Sequence, residues 1–313
     1  MTYLFEHPKG VLSAIELSIF SRFPIGKNIF DLDWEIAIIL DTCRVDALKQ
    51  VSEQYEFIDE VNSMISVGAA TPEWVSNTFT SEYESEVEST AYVTGNGFVE
   101  AILSETVSPE GHEGANFAPT NWDTVGLDEF ELLDLVWRSD DICKSNTGEQ
   151  YYAQAQTVAD HAISYWRQNN YDRMIVHFVE PHHPYLQAKQ IDSHTDDNSK
   201  VYDPFRYLQN DGDFNDVWQY YISELRAGLD GVRSLIENVD ANRVLITADH
   251  GETFGEYYEY HHRSGSINPY LRKVPVVWTA ADNLMKRSPS VDTSNNRDKN
   301  ESIRSHLSAL GYM

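Results

Sequence analysis

Two acidic residues and a histidine that could bind a metal ion stand directly after apolar runs of the chain. Asp41 follows the run 35–40, and Asp249 and His250 follow the run 243–248. Both runs are short and rich in β-branched residues, which predicts buried strands with polar residues only at their carboxyl ends. Ligands of open α/β sheets bind at that edge, and carboxylates and imidazoles are common ligands of divalent cations. We therefore predict that Asp41, Asp249 and His250 form a cation site.

Neighbouring residues leave two questions open. Asp41 or Thr42 could instead cap the helix predicted to begin near Arg44, because Asp and Thr are favoured at helix N-caps. His261 and His262 follow the second motif, and we count His262 as a further candidate metal ligand. A pair of solvated surface histidines is an equally good interpretation of that segment.

A histidine pair bracketed by prolines follows a third apolar run, 173–179. His182 and His183 lie between Pro181 and Pro184, so proline restricts the backbone on both sides of the histidine pair. His182 could donate a proton to a leaving oxygen or bind an anionic group. A proline-rich turn with solvated histidines is the alternative interpretation.

Thr71 carries the hydroxyl that is best placed for nucleophilic attack. It precedes Pro72, and proline is favoured in the first turn of a helix. A hydroxyl at a helix N-terminus faces backbone amides that can hold an anionic ester, although Thr71 could also simply cap the helix. Ser66 is expected inside its strand, and Thr42 follows a presumed ligand. Arg44 could clamp the anion.

The elements that must position these residues alternate between strands and amphipathic helices. Apolar residues recur at three- and four-residue intervals over 214–238 and 152–168, which predicts a helix before each of the last two strands. This alternation is typical of an α/β fold, a large mixed, mostly parallel sheet between helices. No internal repeat or linker is evident, so we predict one domain over residues 1–313.

Three polar segments interrupt this pattern. Residues 104–125 and 190–200 are predicted to be loop insertions, and 286–302 is predicted to be a polar, flexible segment. Such segments often form substrate lids, and mobile surface loops are equally common.

The chain is strongly acidic. Its 313 residues carry 23 Lys and Arg against 50 Asp and Glu, a formal charge of −27. Nucleic-acid affinity comes mostly from basic residues that neutralise phosphates, so this charge argues against a nucleic-acid partner. The acids are spread along the chain, which is typical of a halophile's cytoplasmic protein. An ordinary acidic enzyme is the alternative.

The halophilic interpretation predicts that salt stabilises the fold, because screening relieves repulsion among the acids. The melting temperature should rise between dilute buffer and molar KCl in a thermal unfolding experiment. A melting temperature that stays the same or falls would contradict the interpretation.

Cysteine content and hydropathy limit the compartment and the membrane contacts. Two cysteines, Cys43 and Cys143, exclude a disulfide framework and fit a reducing compartment, which predicts a cytoplasmic location. The apolar segment 11–20 contains Glu16 and is too short to span a bilayer. We interpret it as a short helix packed on the domain, with a peripheral membrane contact as the alternative. The oligomeric state is not predicted.

The order of the motifs resembles the sulfatase-like branch of the alkaline phosphatase superfamily. The motifs are D-T-C-R-x-D-A-L from Asp41, the turn with Thr71, H-F-x-x-P-H-x-P-Y from His177, and T-A-D-H-G-E-x-x-G-E from Thr247. The resemblance covers residues 35–280. It implies a large mixed sheet sandwiched by helices, with the metal ligands and the nucleophile at the carboxyl ends of the strands.

The resemblance also implies particular site residues. Asp41, Asp249 and His250 correspond to metal ligands, and His182 corresponds to the cleft histidine of the P-H-x-P motif. Thr71 resembles the threonine nucleophile of the phosphatase, phosphodiesterase and glycerol-phosphate transferase branches.

One departure from the family pattern is informative. Formylglycine sulfatases carry C-x-P-x-R, and aligning Pro72 with its proline puts Ala70 at the Cys position and Trp74 at the Arg position. Formylglycine chemistry is therefore excluded there, and Cys43 lies in the wrong motif. Thr71 is one residue out of that register. If Ala70 marks the nucleophile's position, the protein has no nucleophile.

These expectations define an enzyme and two alternatives. The resemblance implies a metal-dependent hydrolase or transferase of small-molecule or glycan phosphate or sulfate esters, with Thr71 as nucleophile assisted by His182 and Arg44. Its cofactor would be a divalent ion, Ca, Mg, Mn or Zn. A catalytically silent metal-binding protein is the first alternative. A metal-independent carbohydrate-binding module is the second, and the adjacent Asp249 and His250 argue against it.

Overall fold

The computed structural model describes residues 8–139, 143–144, 151–187, 199–289 and 291. Within these ranges the helices are α1 Pro8–Phe20, α2 Val45–Val51, α3 Thr71–Thr78, α4 Glu84–Glu88, α5 Phe98–Leu103, α6 Pro109–His112, α7 Ala155–Gln168, α8 Ser199–Tyr202, α9 Pro204–Gln209, α10 Phe214–Ile236 and α11 Pro269–Arg272. The strands are β1 Ile36–Leu40, β2 Asn62–Ile65, β3 Thr90–Thr94, β4 Leu132–Leu135, β5 Cys143–Lys144, β6 Tyr151–Tyr152, β7 Arg173–Phe178, β8 Ala241–Thr247 and β9 Lys273–Ala281.

One sheet organises the described part of the chain. It has seven strands in the order β2-β9-β8-β1-β7-β3-β4. The strands from β8 to β4 run parallel, and β9 and β2 add an antiparallel edge. The predicted α/β class with a mixed, mostly parallel sheet is confirmed.

The three strands expected from the sequence lie side by side at the centre of this sheet. Ile38 of β1 pairs with Val176 of β7 on one side and with Ile246 of β8 on the other. All five residues of β1 are buried, as expected for a strand covered on both faces. Because the three strands are parallel, the residues that follow them meet at one edge of the sheet.

Successive residues of β1 face two separate hydrophobic layers. Ile36, Ile38 and Leu40 join the layer formed with α2, α7 and α10, whereas Ala37 and Ile39 join the layer formed with α3 and α5. Side chains alternate between the faces of a strand, so each face needs its own helical cover. This arrangement fixes the central strands from both sides and leaves their carboxyl ends to form the site.

Both long helices that the periodicity predicts are present. The helix predicted over 214–238 is α10, which begins after Asp213, whose side chain accepts the backbone N–H of Asn215. The helix predicted over 152–168 is α7, although it begins at Ala155 because Tyr152 belongs to β6.

The predicted insertions are covered only in part. Residues 104–125 contain α6, and Ala115 and Ala118 pack against Ala14 and Leu17 of α1. Most of 190–200 and most of 286–302 lie outside the described residues. Among the helices that are described, none combines the length and the apolarity needed to cross a membrane.

Candidate functional site

The three predicted cation ligands converge at the carboxyl edge of the sheet. Asp41 follows β1, and Asp249 and His250 follow the neighbouring β8. His250 Nε2 lies 3.6 Å from Asp41 Oδ1 and 3.4 Å from Asp249 Oδ2. All three side chains are fully buried. Two carboxylates and one imidazole thus share a small volume without bulk water.

Thr71 places its hydroxyl in the same volume. Oγ1 donates a hydrogen bond to Asp249 Oδ2 at 2.7 Å and lies 3.2 Å from His250 Nε2. Helix α3 begins at Thr71, its N-cap residue is Ala70, and no side chain caps it. The alternative that Thr71 only caps the helix is therefore wrong, and its hydroxyl is directed at the ligands.

The capping alternative for the first motif is wrong as well. The N-cap residue of α2 is Arg44, and no side chain caps this helix. The backbone N–H of Thr42 instead donates to Asp249 Oδ1 at 3.3 Å. Asp41 therefore does not cap this helix, and the turn after β1 helps to hold Asp249.

Ser66 supports Asp249 from another element. Its hydroxyl donates to the backbone carbonyl of Asp249. Ser66 was expected inside its strand, but β2 ends at Ile65 and Ser66 lies just after it. The residue is thus a support for a candidate ligand at the turn that leads to Thr71.

Two side chains to which the sequence analysis gave no role, Asn96 and His177, complete this cluster. Asn96 donates from Nδ2 to Asp41 Oδ2 at 2.6 Å. His177 Nε2 lies 3.9 Å from Asp249 Oδ2, and its Nδ1 is 2.8 Å from the hydroxyl of Tyr92. The sequence signal for Asn96 is its position just after β3, a strand that the apolar runs did not predict.

Hydrogen bonds fix how the buried imidazoles face the site. In His250, His182 and His261, Nδ1 bonds the backbone carbonyl oxygen of the following residue. A carbonyl only accepts, so Nδ1 carries a proton in each ring, and Nε2 carries the lone pair whenever the ring is neutral. Burial lowers the pKa of His182 well below 6.5 and that of His261 to about 4. The rings of His182 and His261 are therefore neutral at neutral pH, which is the form that binds metal ions.

His262 packs against the cluster. Its ring centroid lies 4.4 Å from that of His250 and 5.2 Å from that of His182. Its Nδ1 is 2.9 Å from Glu252 Oε2. Metal-ligating histidines usually have such a carboxyl group behind them, because it fixes the tautomer and the ring. The interpretation of this pair as solvated surface histidines is wrong for His262, which is buried.

The donor atoms form two groups that suit divalent cations. In Asp41, His177 and Asp249 one ligand atom from each lies within 4.8 Å of the others, and the same holds for His182, His261 and His262. A mixture of carboxylate oxygens and imidazole nitrogens suits Zn²⁺ or Mn²⁺ better than Ca²⁺, which prefers oxygen ligands alone. The residues present therefore fit a bound metal.

Arg44 has different partners from those expected. Its guanidinium donates to Asp46 at 2.6 and 2.9 Å and to Glu256 Oε1 at 2.6 Å. Its carbon Cζ lies 4.5 Å from the centroid of the Tyr270 ring. Two carboxylates neutralise this cation and join it to α2 and to the loop after Asp249. The expected role of Arg44 as a clamp on the ester is therefore not retained.

The neighbouring thiol is inert. Cys43 is fully buried, and burial raises the pKa of its thiol well above the ordinary value, with a further contribution from Asp46 and Asp249. A buried protonated thiol is a poor nucleophile. This environment agrees with the exclusion of Cys43 from the chemistry.

Two glycines permit the close packing around the site. A Cβ on Gly68 would lie 2.5 Å from Trp74, and one on Gly251 would lie 2.0 Å from the carbonyl oxygen of Tyr270. Trp74 is buried, with its ring centroid 5.5 Å from that of His177. Trp74 thus packs against a histidine of the cluster.

A buried ion pair holds the turn that precedes Thr71. Glu73 Oε1 accepts from Arg272 Nη2 at 2.7 Å, and Oε2 accepts the backbone N–H groups of Ala69 and Gly265 at 2.9 Å each. Arg272 also donates to the carbonyl of Val67 at 3.2 Å. The pair therefore ties the Thr71 turn to the loop that follows His262.

We expect Glu73→Gln to destabilise the protein by about 3 kcal/mol, because it leaves Arg272 as an uncompensated buried charge. Urea unfolding in constant KCl measures this loss. Glu237→Gln is the matched control, since Glu237 pairs with the exposed Lys286 and should cost less than about 1 kcal/mol. Equal losses in the two variants would contradict the role of the buried pair.

A cavity borders the histidine group. It has a volume of about 540 Å³, and its lining includes His183, His261, Phe205, Arg206 and Asn210. The ring of His261 packs edge-on against Phe205, with the centroids 4.7 Å apart. This cavity offers aromatic and polar contacts beside the half-buried His261, whereas His182 and His262 of the same group are buried.

The fold and the site together define an α/β protein with a candidate active site at the carboxyl edge of a mixed sheet. No protein-family model and no curated protein sequence matches the chain. Solved structures show distant similarity, and two of them are forms of one protein from Neisseria meningitidis. The soluble domain of its lipooligosaccharide phosphoethanolamine transferase A is 14% identical, with a TM-score of 0.49, over 80% of this chain and 77% of that domain.

The integral membrane form of that transferase is 13% identical, with a TM-score of 0.47, and the match covers 80% of this chain but only 48% of that protein. The C-terminal periplasmic domain of phosphoethanolamine transferase EptC from Campylobacter jejuni is 15% identical, with a TM-score of 0.40, over 79% of this chain and 78% of that domain. These similarities are too distant to transfer an activity.

Proposed function

We propose that the protein is a metal-dependent hydrolase or transferase of phosphate or sulfate esters that uses Thr71 as its nucleophile. One observation carries the proposal. The Thr71 hydroxyl lies 2.7 Å from Asp249 Oδ2 and 3.2 Å from His250 Nε2, at the N-terminus of a helix. A hydroxyl among metal-ligand types, at a helix end that favours anions, is suited to attack on an anionic ester.

The residues that would hold the cation follow from the same geometry. Asp41, Asp249 and His250 would bind one divalent ion beside Thr71, and His182 with His262 offer imidazoles for a second. A bound divalent ion lowers the pKa of a hydroxyl that it contacts and neutralises the oxygens of the ester. The ion also offsets the negative charge of the two buried carboxylates.

The chain's own residues then account for the transfer. Asp249 Oδ2 accepts the hydrogen bond of Thr71, orients Oγ1 and is the nearest acceptor for its proton. A bond forms from Oγ1 to phosphorus or sulfur while the bond to the ester oxygen breaks, and the proton leaves with the alcohol. Water or a second alcohol cleaves the Thr71 ester in the same way and restores the hydroxyl.

His182 fits binding better than proton donation. Its Nδ1 proton is bonded to a backbone carbonyl, and burial lowers its pKa. The protonated ring that would donate a proton to the leaving oxygen is therefore scarcely populated at neutral pH. Of the two roles predicted for it, contact with a cation or with the ester oxygens is the one we retain.

The cavity beside His183 and His261 would receive the alcohol portion of the substrate. Its lining includes an aromatic ring, an arginine and amide side chains, which suit a small polar or glycan group. A cytoplasmic location and adaptation to high salt remain parts of the proposal, supported by the two cysteines and by the charge of −27.

A substrate screen tests the function. Aryl phosphates, aryl phosphodiesters and aryl sulfates are offered with Ca²⁺, Mg²⁺, Mn²⁺ or Zn²⁺ in high salt, and release of the aryl alcohol is followed. We expect turnover of at least one class that depends on the metal. A protein that binds metal but turns over none of these esters would instead be the catalytically silent binding protein.

A further inference from the structure

The first helix carries an apolar stripe that no described residue covers. In α1, Leu12, Ile15 and Ile19 are 50%, 55% and 49% exposed, and Phe23, just beyond the helix, is 72% exposed. The spacing of three and four residues places these side chains on one face. Isolated exposed apolar residues are ordinary on protein surfaces, but a continuous row along one helix indicates an interaction surface.

The opposite face of α1 is fixed to the domain. Ala14, Leu17 and Phe20 are buried, and Glu16 pairs with Arg263. The expectation of a helix packed on the domain is confirmed for this face. The only acidic side chain of α1 is thus turned towards the protein, and the outer stripe carries no acid.

The charges around the stripe contrast with those of the whole chain. Arg22 and Lys27 are exposed in the segment that follows α1, where Arg22 donates to the carbonyls of Ser18 and Pro119, and Glu16 is the only acid in the sequence between residues 8 and 27. Elsewhere the protein is dominated by acids, with a net charge of −27. An apolar stripe flanked by basic residues is complementary to a lipid surface with anionic headgroups.

We propose that α1 docks this protein on an anionic lipid bilayer, with Leu12, Ile15, Ile19 and Phe23 inserted at the interface. The helix has 13 residues, about 20 Å, so it lies along the surface rather than across it. A second copy of the chain is a poorer occupant. Two-fold pairing through this face would bring the basic residues together, and the stripe exposes no acid to pair with them.

Docking would also anchor the segment next to the candidate site. Glu16 of α1 pairs with Arg263, which directly follows His262. The lipid contact and the site therefore share a loop, although membrane binding does not depend on catalysis.

Vesicle flotation tests the proposal without reference to activity. The 313-residue protein is mixed with vesicles of phosphatidylcholine alone or of equal parts phosphatidylcholine and phosphatidylglycerol, at the lowest KCl concentration at which circular dichroism shows it folded. We expect binding to the anionic vesicles only. The triple variant Leu12→Ser, Ile15→Ser, Ile19→Ser should bind about tenfold more weakly or worse.

Matched variants test whether vesicle binding depends on this surface in particular or on exposed apolar and basic residues anywhere on the protein. Leu284→Ser with Met285→Ser removes exposed apolar residues elsewhere and should leave binding unchanged. Arg22→Gln with Lys27→Gln should weaken binding, whereas Lys49→Gln with Lys273→Gln should not. The proposal fails if the folded wild type does not float with anionic vesicles, or if the triple variant floats equally well. It also fails if sedimentation shows a dimer that the triple variant converts to a monomer.

Discussion

Thr71→Ala is expected to lower kcat by about 10⁴-fold or more on any ester that the protein turns over. The substitution removes the only hydroxyl shown to contact both Asp249 Oδ2 and His250 Nε2 among the described residues. It leaves both carboxylates and the imidazole in place, so metal content should stay near that of the wild type. The melting temperature should change little, because one lost hydrogen bond costs about 1 kcal/mol.

Two further variants make the result specific. Thr71→Ser keeps a hydroxyl and should retain measurable turnover. Thr78→Ala changes a buried threonine of the same helix whose hydroxyl bonds no other described residue, and it should turn over substrate like the wild type. Mass spectrometry after an acid quench should find the phosphoryl or sulfuryl group on the peptide that contains Thr71. Full turnover in Thr71→Ala would rule out the covalent mechanism.

The sequence was sufficient to predict the three central strands of the sheet and the polar residues that follow them. Strand β1 is buried throughout, and β7 and β8 are buried after their first residues, from Met174 and from Val244, so no exposed residue interrupts these apolar runs. Polar side chains at their ends had to meet, because parallel neighbours end at the same edge. This is why the pattern of apolar runs alone could place Asp41 and Asp249 together.

The supporting residues could not be found in this way. Asn96 reaches Asp41 only because β3 lies beside β7, and strand order depends on packing across the whole domain. Glu73 and Arg272 are far apart in sequence, and neither stands in a motif that would link them. Strand β9 was not predicted because it contains Pro275, and proline lacks the N–H that a regular strand donates. In the structure Pro275 nevertheless pairs with Ser63 of the edge strand β2.

Arg44 shows how a motif can mislead. Its place next to a metal-ligand motif suggested an anion clamp, but a cation that is buried needs its own counter-charges. Asp46 lies two residues away, and Glu256 reaches Arg44 from the loop after β8. Local acids and an aromatic surround, rather than the ester, satisfy this guanidinium.

Metal binding gives the second large effect, and Asp249→Asn is the variant that isolates it. Asp249 Oδ2 lies 3.4 Å from His250 Nε2, so the carboxylate and the imidazole can share one ion. Asparagine keeps the shape but removes the charge and presents an amide N–H₂ that cannot bind a cation. We expect affinity for the divalent ion to fall by at least about 100-fold, as loss of a ligand exceeds the loss from an outer-shell change.

Calorimetry and metal analysis after dialysis and reloading measure this loss. Asp230→Asn is the control, because Asp230 is an exposed partner of Arg233 and bonds none of the candidate ligands among the contacts of the described residues. Ion at 100 times its dissociation constant should stabilise the wild type by about 2.7 kcal/mol, and this gain should vanish in Asp249→Asn. Without the ion, the carboxylates of Asp41 and Asp249 would repel each other in a buried site. We expect the ion to stabilise the fold because it relieves this repulsion. Wild-type protein without stoichiometric divalent ion would show that the site is wrong, and equal affinity in Asp249→Asn would remove Asp249 from it.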